Sequence, residues 1–290
     1  MKKTVIIISS IFILASCSST KQLTTLENSL KTNYSNKNYE AVIEEYEKLT
    51  TLASKKKQEL PSQSTIFAGK SFYNIEKYSE SLNLLSSIEN KDEEAIFMEG
   101  MSYYHLKNNN EEFSFWNANR NSIKNAENEQ IVLNRIYDLA INFAEFQLAN
   151  RVWTELSNNS EIEQMEKQVA VLDNLGEKSQ ALSLANNILK KDANNEEALF
   201  YRGTYYFNKA ESLYQSEMAK YNKNPNYTAY AYLRRELKKA SSDFRNARDI
   251  FERLYKIAPD NKKYIAYLKN SYLRLEMRNE AAQMDKLLNN

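Results

Sequence analysis

Few side chains in this sequence could do covalent chemistry. Its 290 residues hold one cysteine, Cys17, and one histidine, His105. A lone imidazole without a second histidine or a nearby thiolate cannot build a transition-metal site of the usual kind, so His105 reads as a groove or surface residue and no metal is expected. Acidic pairs such as Glu93-Glu94, Glu111-Glu112 and Glu196-Glu197 have the residue type for general acid–base or glycosidic work. Each stands where a helix should begin. Negative charge there offsets the helix dipole by about 0.3 to 1 kcal/mol, which accounts for the pairs without catalysis. The four glycines and three prolines all fall at helix crossings, turns or helix ends, leaving no loop to cradle a phosphate. No nucleophile elbow or catalytic cysteine is present, so neither enzymatic activity nor a cofactor is expected.

Cys17 has a different setting. Lys2 and Lys3 precede an apolar stretch from Thr4 to Leu14, and the small residues Ala15 and Ser16 follow. The order is that of a secretory signal. As a helix the stretch covers roughly 16 Å, against a hydrocarbon core of about 30 Å, so a permanent membrane span is the poorer reading. Leu14-Ala15-Ser16-Cys17 resembles the lipobox of bacterial lipoproteins. That resemblance implies cleavage between Ser16 and Cys17, a diacylglycerol on the thiol and an acyl chain on the new amino terminus. One acyl chain binds a bilayer only marginally, whereas two or three make a lasting anchor. Ser18, in place of aspartate, implies by the same resemblance a lipid-anchored protein on the periplasmic face of the bacterial outer membrane. The alternative is an ordinary secretory signal with a chance cysteine at its end.

The chain has 39 basic and 38 acidic side chains, so removing Lys2 and Lys3 leaves 37 against 38 and a net charge near −1. Bulk charge gives no support to nucleic-acid binding. With one cysteine, no disulfide framework is possible.

The scarcity of glycine and proline argues against a many-turned sheet. Apolar residues recur instead at helical spacing, as in Tyr39, Val42, Ile43, Tyr46 and Leu49. A period accompanies them: Gly69 to Gly100 is 31 residues, Ala149 to Ala181 is 32, and Ala247 to Ala281 is 34. Small residues at such intervals mark where paired helices cross closely, and large ones (Tyr103, Tyr206, Tyr272) mark where the next pair packs. The pattern resembles the tetratricopeptide repeat (TPR). It implies an all-α fold, an α-solenoid of about seven helix-turn-helix units. The expected organisation is a signal peptide at 1–16, a lipidated tether at 17–20 and the solenoid at 21–290. Glu112 and Lys269 stand where small residues are usual, so looser crossings are expected there, and the register slips between Asn108 and Asn128.

Ala181 to Ala247 spans 66 residues, which is too long for one unit. The economical reading lengthens both helices of one hairpin by about 16 residues, giving an arm at about 205–246 that projects roughly 24 Å. Tyr214, Tyr221, Tyr230, Arg234 and Arg235 are its candidate contact residues, for a partner or an anionic headgroup; a merely solvated face is the alternative.

The TPR resemblance also implies that the first helix of each unit lines a groove for peptides or protein segments. By repeat position the groove candidates are Phe97, Tyr104, His105, Asn142, Asn174, Phe200, Phe207, Asn208 and Arg274, with Glu166, Asp173 and Thr204 on the same faces. Asn74, Asn142, Asn174 and Asn208 share one repeat position and could hold an extended backbone by paired amides. Asparagine is also abundant in this chain and common at helix ends. The expected function is a non-enzymatic envelope scaffold that binds a protein or peptide partner, in outer-membrane protein assembly or in recruiting cell-wall enzymes. A surface-exposed or periplasmic ligand-binding lipoprotein is the alternative.

Overall fold

The structure, a computed structural model, describes the backbone of residues 6–289 and the side chains of residues 21–289. It is built of helices, with no strand among the described residues. α1 (Ile6–Ser35) and α2 (Tyr39–Lys56) form the first hairpin, α3 (Ser62–Asn74) and α4 (Tyr78–Leu85) the second, α5 (Glu93–His105) and α6 (Asn109–Asn119) the third. A 3-10 turn at Arg120–Ser122 leads to α7 (Ala126–Asn142), which ends the first of two compact units. The second unit begins at Phe143 and contains α8 (Phe146–Trp153) and the hairpins α9 (Ile162–Asn174) with α10 (Lys178–Lys191), α11 (Glu196–Lys223) with α12 (Tyr227–Ile257), and α13 (Lys262–Arg274) with α14 (Arg278–Asn289). Ser16 and Cys17 lie within the backbone span of α1, but their side chains, with the rest of the expected signal and tether, fall outside the described residues. No described helix is long and apolar enough to cross a membrane.

The short hairpins close where the sequence is small. A side-chain carbon at Gly100 would overlap the Trp116 ring, and one at Gly69 would sit 2.6 Å from the Leu85 side chain. Ser81, Ala149, Ala181 and Ala247 are fully buried at the matching sites of the second helices. The core is accordingly divided into clusters shared by adjacent elements, such as Leu30, Val42, Tyr46, Leu49 and Ala68, or Met165, Val169, Leu172, Ala181, Ala185, Ile188 and Ala198. This is the quasi-one-dimensional packing of a repeat array, within each unit.

Five hairpin turns share one device that composition hides. Lys37, Glu76, Lys107, Gly176 and Glu276 have φ of 59°, 63°, 59°, 79° and 59°. The following residue's N–H reaches back five residues, as Lys77 N to Phe72 O (2.9 Å) and Met277 N to Tyr272 O (2.9 Å), which satisfies a terminal helix carbonyl. Only one of the five is glycine; the others hold a left-handed conformation that costs an L-residue roughly 1–2 kcal/mol.

The departures noted in the sequence are accommodated by ion pairs. Glu112 is fully buried and accepts two hydrogen bonds from Arg135 on α7, both 2.8 Å. Lys269 reaches Asp285 at 2.9 Å. The slip in register after Asn108 comes from the 3-10 turn, whose exit is held by Glu93: its Oε1 accepts from the backbone N–H groups of Lys124 and Asn125 at 2.8 and 2.6 Å.

The elongated hairpin is α11–α12. α11 has 28 residues where α3, α5, α9 and α13 have 13 each, and α12 has 31 where α10 has 14. The turn between them lacks the left-handed residue; Asn226 caps α12 by accepting from Ala229 N at 2.9 Å.

Candidate functional site

A cleft of about 750 Å³ opens in the second unit between α9 and the lower half of α11. Ala170, Phe200 and the edge of Val169 supply apolar surface, backed by the buried Ile188 and Ala198; Tyr201, Thr204, Tyr205, Asn208 and Ser212 follow along α11, and Glu166 and Asp173 face them from α9. Helix periodicity explains the arrangement, since Glu197, Tyr201, Thr204, Tyr205, Asn208 and Ser212 recur at three- and four-residue steps and so share one face. A cleft of this size, mainly apolar with a few fixed polar groups, has the properties of a binding site.

Several of the polar groups are already oriented. Tyr201 Oη donates to Asp173 Oδ1 at 3.0 Å. Burial, then the hydrogen bond and charge of Asp173, hold that phenol protonated well above its ordinary range. Asn195, the N-cap of α11, donates its amide to Glu166 Oε1 at 2.7 Å. Lys209 pairs with Asp243 on α12 at 3.0 Å, and that hydrogen bond raises its pKa. Asn208 and Ser212 are exposed at the foot of the arm, available to a bound chain.

The sequence candidates separate into groups. Phe200 and Asn208 line the cleft, together with Glu166, Asp173 and Thr204. Phe207 turns away and packs on Phe244 and Tyr267, with ring centroids 5.5 and 5.4 Å apart. Phe97 packs toward Trp116 in the first unit at 6.5 Å. In that unit, too, His105 stacks on Tyr78 (4.1 Å, interplanar angle 5°), and Tyr104 lies under Arg135, 4.2 Å from ring centroid to guanidinium carbon. Asn142 is exposed at the end of α7. The amide of Asn174 donates to Ala170 O at 2.9 Å, as that of Asn74 does to Lys70 O at 2.8 Å, so both bond back onto their own helices. Arg274 makes a bidentate pair with Glu211 (2.7 and 2.5 Å) and lies 4.4 Å above the Tyr214 ring. It pins the base of the arm, and Tyr214 is half-buried beneath it. Tyr221 and Tyr230 approach each other at 6.2 Å near the tip; Arg234 is exposed, and Arg235 pairs with Glu236 at 3.1 Å.

The sequence reading missed Tyr201, Tyr205, Ala170, Lys178 and Lys209. Tyr201 and Tyr205 sit one residue beyond the repeat positions used, and the face of a long helix is wide enough to include both. The acidic pairs do begin α5, α6 and α11. They also tie adjacent elements: Glu94 accepts from buried Lys70 at 2.6 Å, and Glu196 accepts from Tyr264 Oη at 3.1 Å. Burial and then that bond push Tyr264 up to about 12.

No family model and no curated protein matches the sequence. Among solved structures, a candidate protein-binding protein from Bacteroides ovatus is similar over 79% of this chain and 100% of its own, at 15% identity and a TM-score of 0.50. The C-terminal part of a TPR repeat-containing protein from Cytophaga hutchinsonii covers 90% of this chain and 93% of its own, at 14% identity and a TM-score of 0.45. YrrB, a TPR protein with an unusual peptide-binding site, covers 83% and 96%, at 16% identity and a TM-score of 0.42. At such identities likeness concerns fold alone, and the fold is an all-α array of TPR-like helical hairpins.

Proposed function

We propose that this chain is a lipid-anchored, non-enzymatic scaffold of a bacterial cell envelope, held on the periplasmic face of the outer membrane, whose repeat face binds an extended segment of a protein partner. The observation that carries the reading is the α9–α11 cleft: an apolar floor with tyrosine, asparagine and carboxylate groups along its sides, on the first helices of adjacent hairpins. An extended peptide presents alternating side chains and backbone amides, and such a surface can take both. The sequence Leu14-Ala15-Ser16-Cys17 supports the anchor. Assembly of outer-membrane proteins and recruitment of cell-wall enzymes are the two settings in which such a scaffold would act. The cleft volume also lies in the range of sites for small ligands, so a peptide or ligand-binding lipoprotein is the second reading.

Ala170 is exposed on the cleft wall, and Ala170→Trp should fill the cleft while leaving the core intact. Affinity purification of the anchored protein and this variant, with mass spectrometry, should show one partner lost and helical content unchanged. An unchanged partner set would count against the cleft. Cys17→Ala should leave the fold intact and abolish lipidation, read as loss of labelled palmitate; retained label would refute the anchor.

A further inference from the structure

The distal part of the α11–α12 hairpin differs in chemistry from the rest of the chain. Between Met218 and Arg235 stand four cations, Lys220, Lys223, Arg234 and Arg235, and no carboxylate, in a chain that as a whole carries 39 basic and 38 acidic side chains. Four tyrosines share the segment: Tyr221, Tyr227, Tyr230 and Tyr232. Tyr227 is 89% exposed, Tyr232 56% and Tyr230 48%. Glu217 engages Lys220 and Glu236 engages Arg235 from just outside the segment, Arg235 also lies over the Tyr232 ring at 5.0 Å, and Tyr230 nears Tyr221 at 6.2 Å. All three rings nevertheless keep about half or more of their surface open at one hairpin end, where isolated exposed rings are the rule elsewhere.

Their spacing on α12 adds a direction. Tyr227, Tyr230, Arg234, Lys238 and Arg245 follow at intervals of three, four, four and seven residues, which places them on one stripe of the helix. All five are exposed, while Leu233, Ala240, Phe244 and Ala247 occupy the buried face. Arg235 and Lys239 are engaged by Glu236. Arg234, Lys238 and Arg245 form no ion pair among the described residues. A solvated helix face would mix charge signs. This stripe carries aromatic rings at the tip and cations along the shaft.

We propose that the stripe docks on a bilayer surface containing anionic lipid. Tyrosine rings suit the headgroup boundary because the ring body is apolar and the hydroxyl polar, and the cations behind them would meet lipid phosphates. An acidic protein groove would match the cations but would bury the rings in pockets. The rings here stand at the free end of a hairpin, a geometry suited to shallow insertion into a soft, flat surface.

The test uses the chain from residue 17 onward made without lipid as Cys17→Ser, so that the acyl anchor plays no part. Its flotation with vesicles of phosphatidylcholine mixed with phosphatidylglycerol is compared with that on phosphatidylcholine alone. Binding to the anionic vesicles only, weakened by added salt, is expected. Arg234→Gln/Lys238→Gln should reduce partitioning by about 25-fold, at about fivefold per cation. Tyr227→Ala/Tyr230→Ala should also weaken it, with far-ultraviolet circular dichroism unchanged in every variant because all four sites are exposed. Equal binding to both vesicle types, or anionic binding indifferent to both double variants, would overturn the proposal. So would loss in the cation variant with the tyrosine variant unaffected, since that pattern belongs to a polyanion free in solution.

Discussion

The α5–α6 hairpin and the arm are built from the same element, a helix pair, and they differ in what supports them. In α5–α6, Trp116 closes against Gly100, Glu112 is held by Arg135, and the turn at Lys107 is left-handed and hydrogen-bonded. Each short helix is stabilised by its neighbours before and after. In α11–α12 the two helices pack mainly on each other. The last outside support is at the base, where Leu275 joins the Ala210, Ala240 and Phe244 cluster and Arg274 grips Glu211 and Tyr214. Beyond Tyr214 the α11 side of the arm runs roughly 14 Å further. A repeat hairpin is therefore a unit of stability, whereas the arm is an extension whose outer surface is free for contact.

The largest effect should come from breaking the supported hairpin. Trp116→Ala removes a fully buried ring and should destabilise the first unit by about 3–5 kcal/mol, measured by denaturant unfolding. The arm should show a smaller and more local response. Arg274→Ala should cost about 1.5–3 kcal/mol and raise amide exchange from Ala210 to Tyr214, with other hairpins unchanged. Arg274→Lys should not restore protection, because an ammonium cannot reproduce the bidentate geometry. If exchange rose evenly through the second unit, the arm's base would not be a separate support.

pH sharpens the contrast between hairpin interfaces and the arm. Tyr264, which ties α13 to α11 through Glu196, has its pKa raised to about 12, so its contribution is complete below about pH 10 and is lost as pH rises toward 12. Tyr264→Phe should flatten the fall in melting temperature over that window; an unchanged slope would remove Tyr264 as a cause. The smallest effect is stabilising. Glu276→Gly relieves a left-handed φ of 59° and should raise stability by about 0.5–1 kcal/mol, against no gain from glycine in the arm.

These contrasts explain what could be read from sequence. Gly69, Gly100, Ala181 and Ala247 were legible because close crossings demand small residues and the demand recurs at a fixed interval. The excess length of one hairpin followed from the same interval. The turns were not legible beyond Gly176, because Lys37, Glu76, Lys107 and Glu276 adopt the left-handed conformation under the packing of the helices they join. Arg274 illustrates the limit for site residues. Its repeat position placed it in a groove, but its partner Glu211 lies 63 residues earlier, and only the length of α11 brings them together. Phe200 and Asn208 were found at the cleft; Tyr201 and Tyr205 were missed by a single residue of register.

The most direct measurement of the central claim is site-specific photo-crosslinking in living cells from a benzophenone side chain at Asn208, on the cleft, compared with one at exposed Arg278, away from it. A discrete cross-linked protein at position 208, absent at 278 and suppressed by Ala170→Trp, is the predicted result. The same products from both positions, or a product at 208 that survives filling of the cleft, would contradict it.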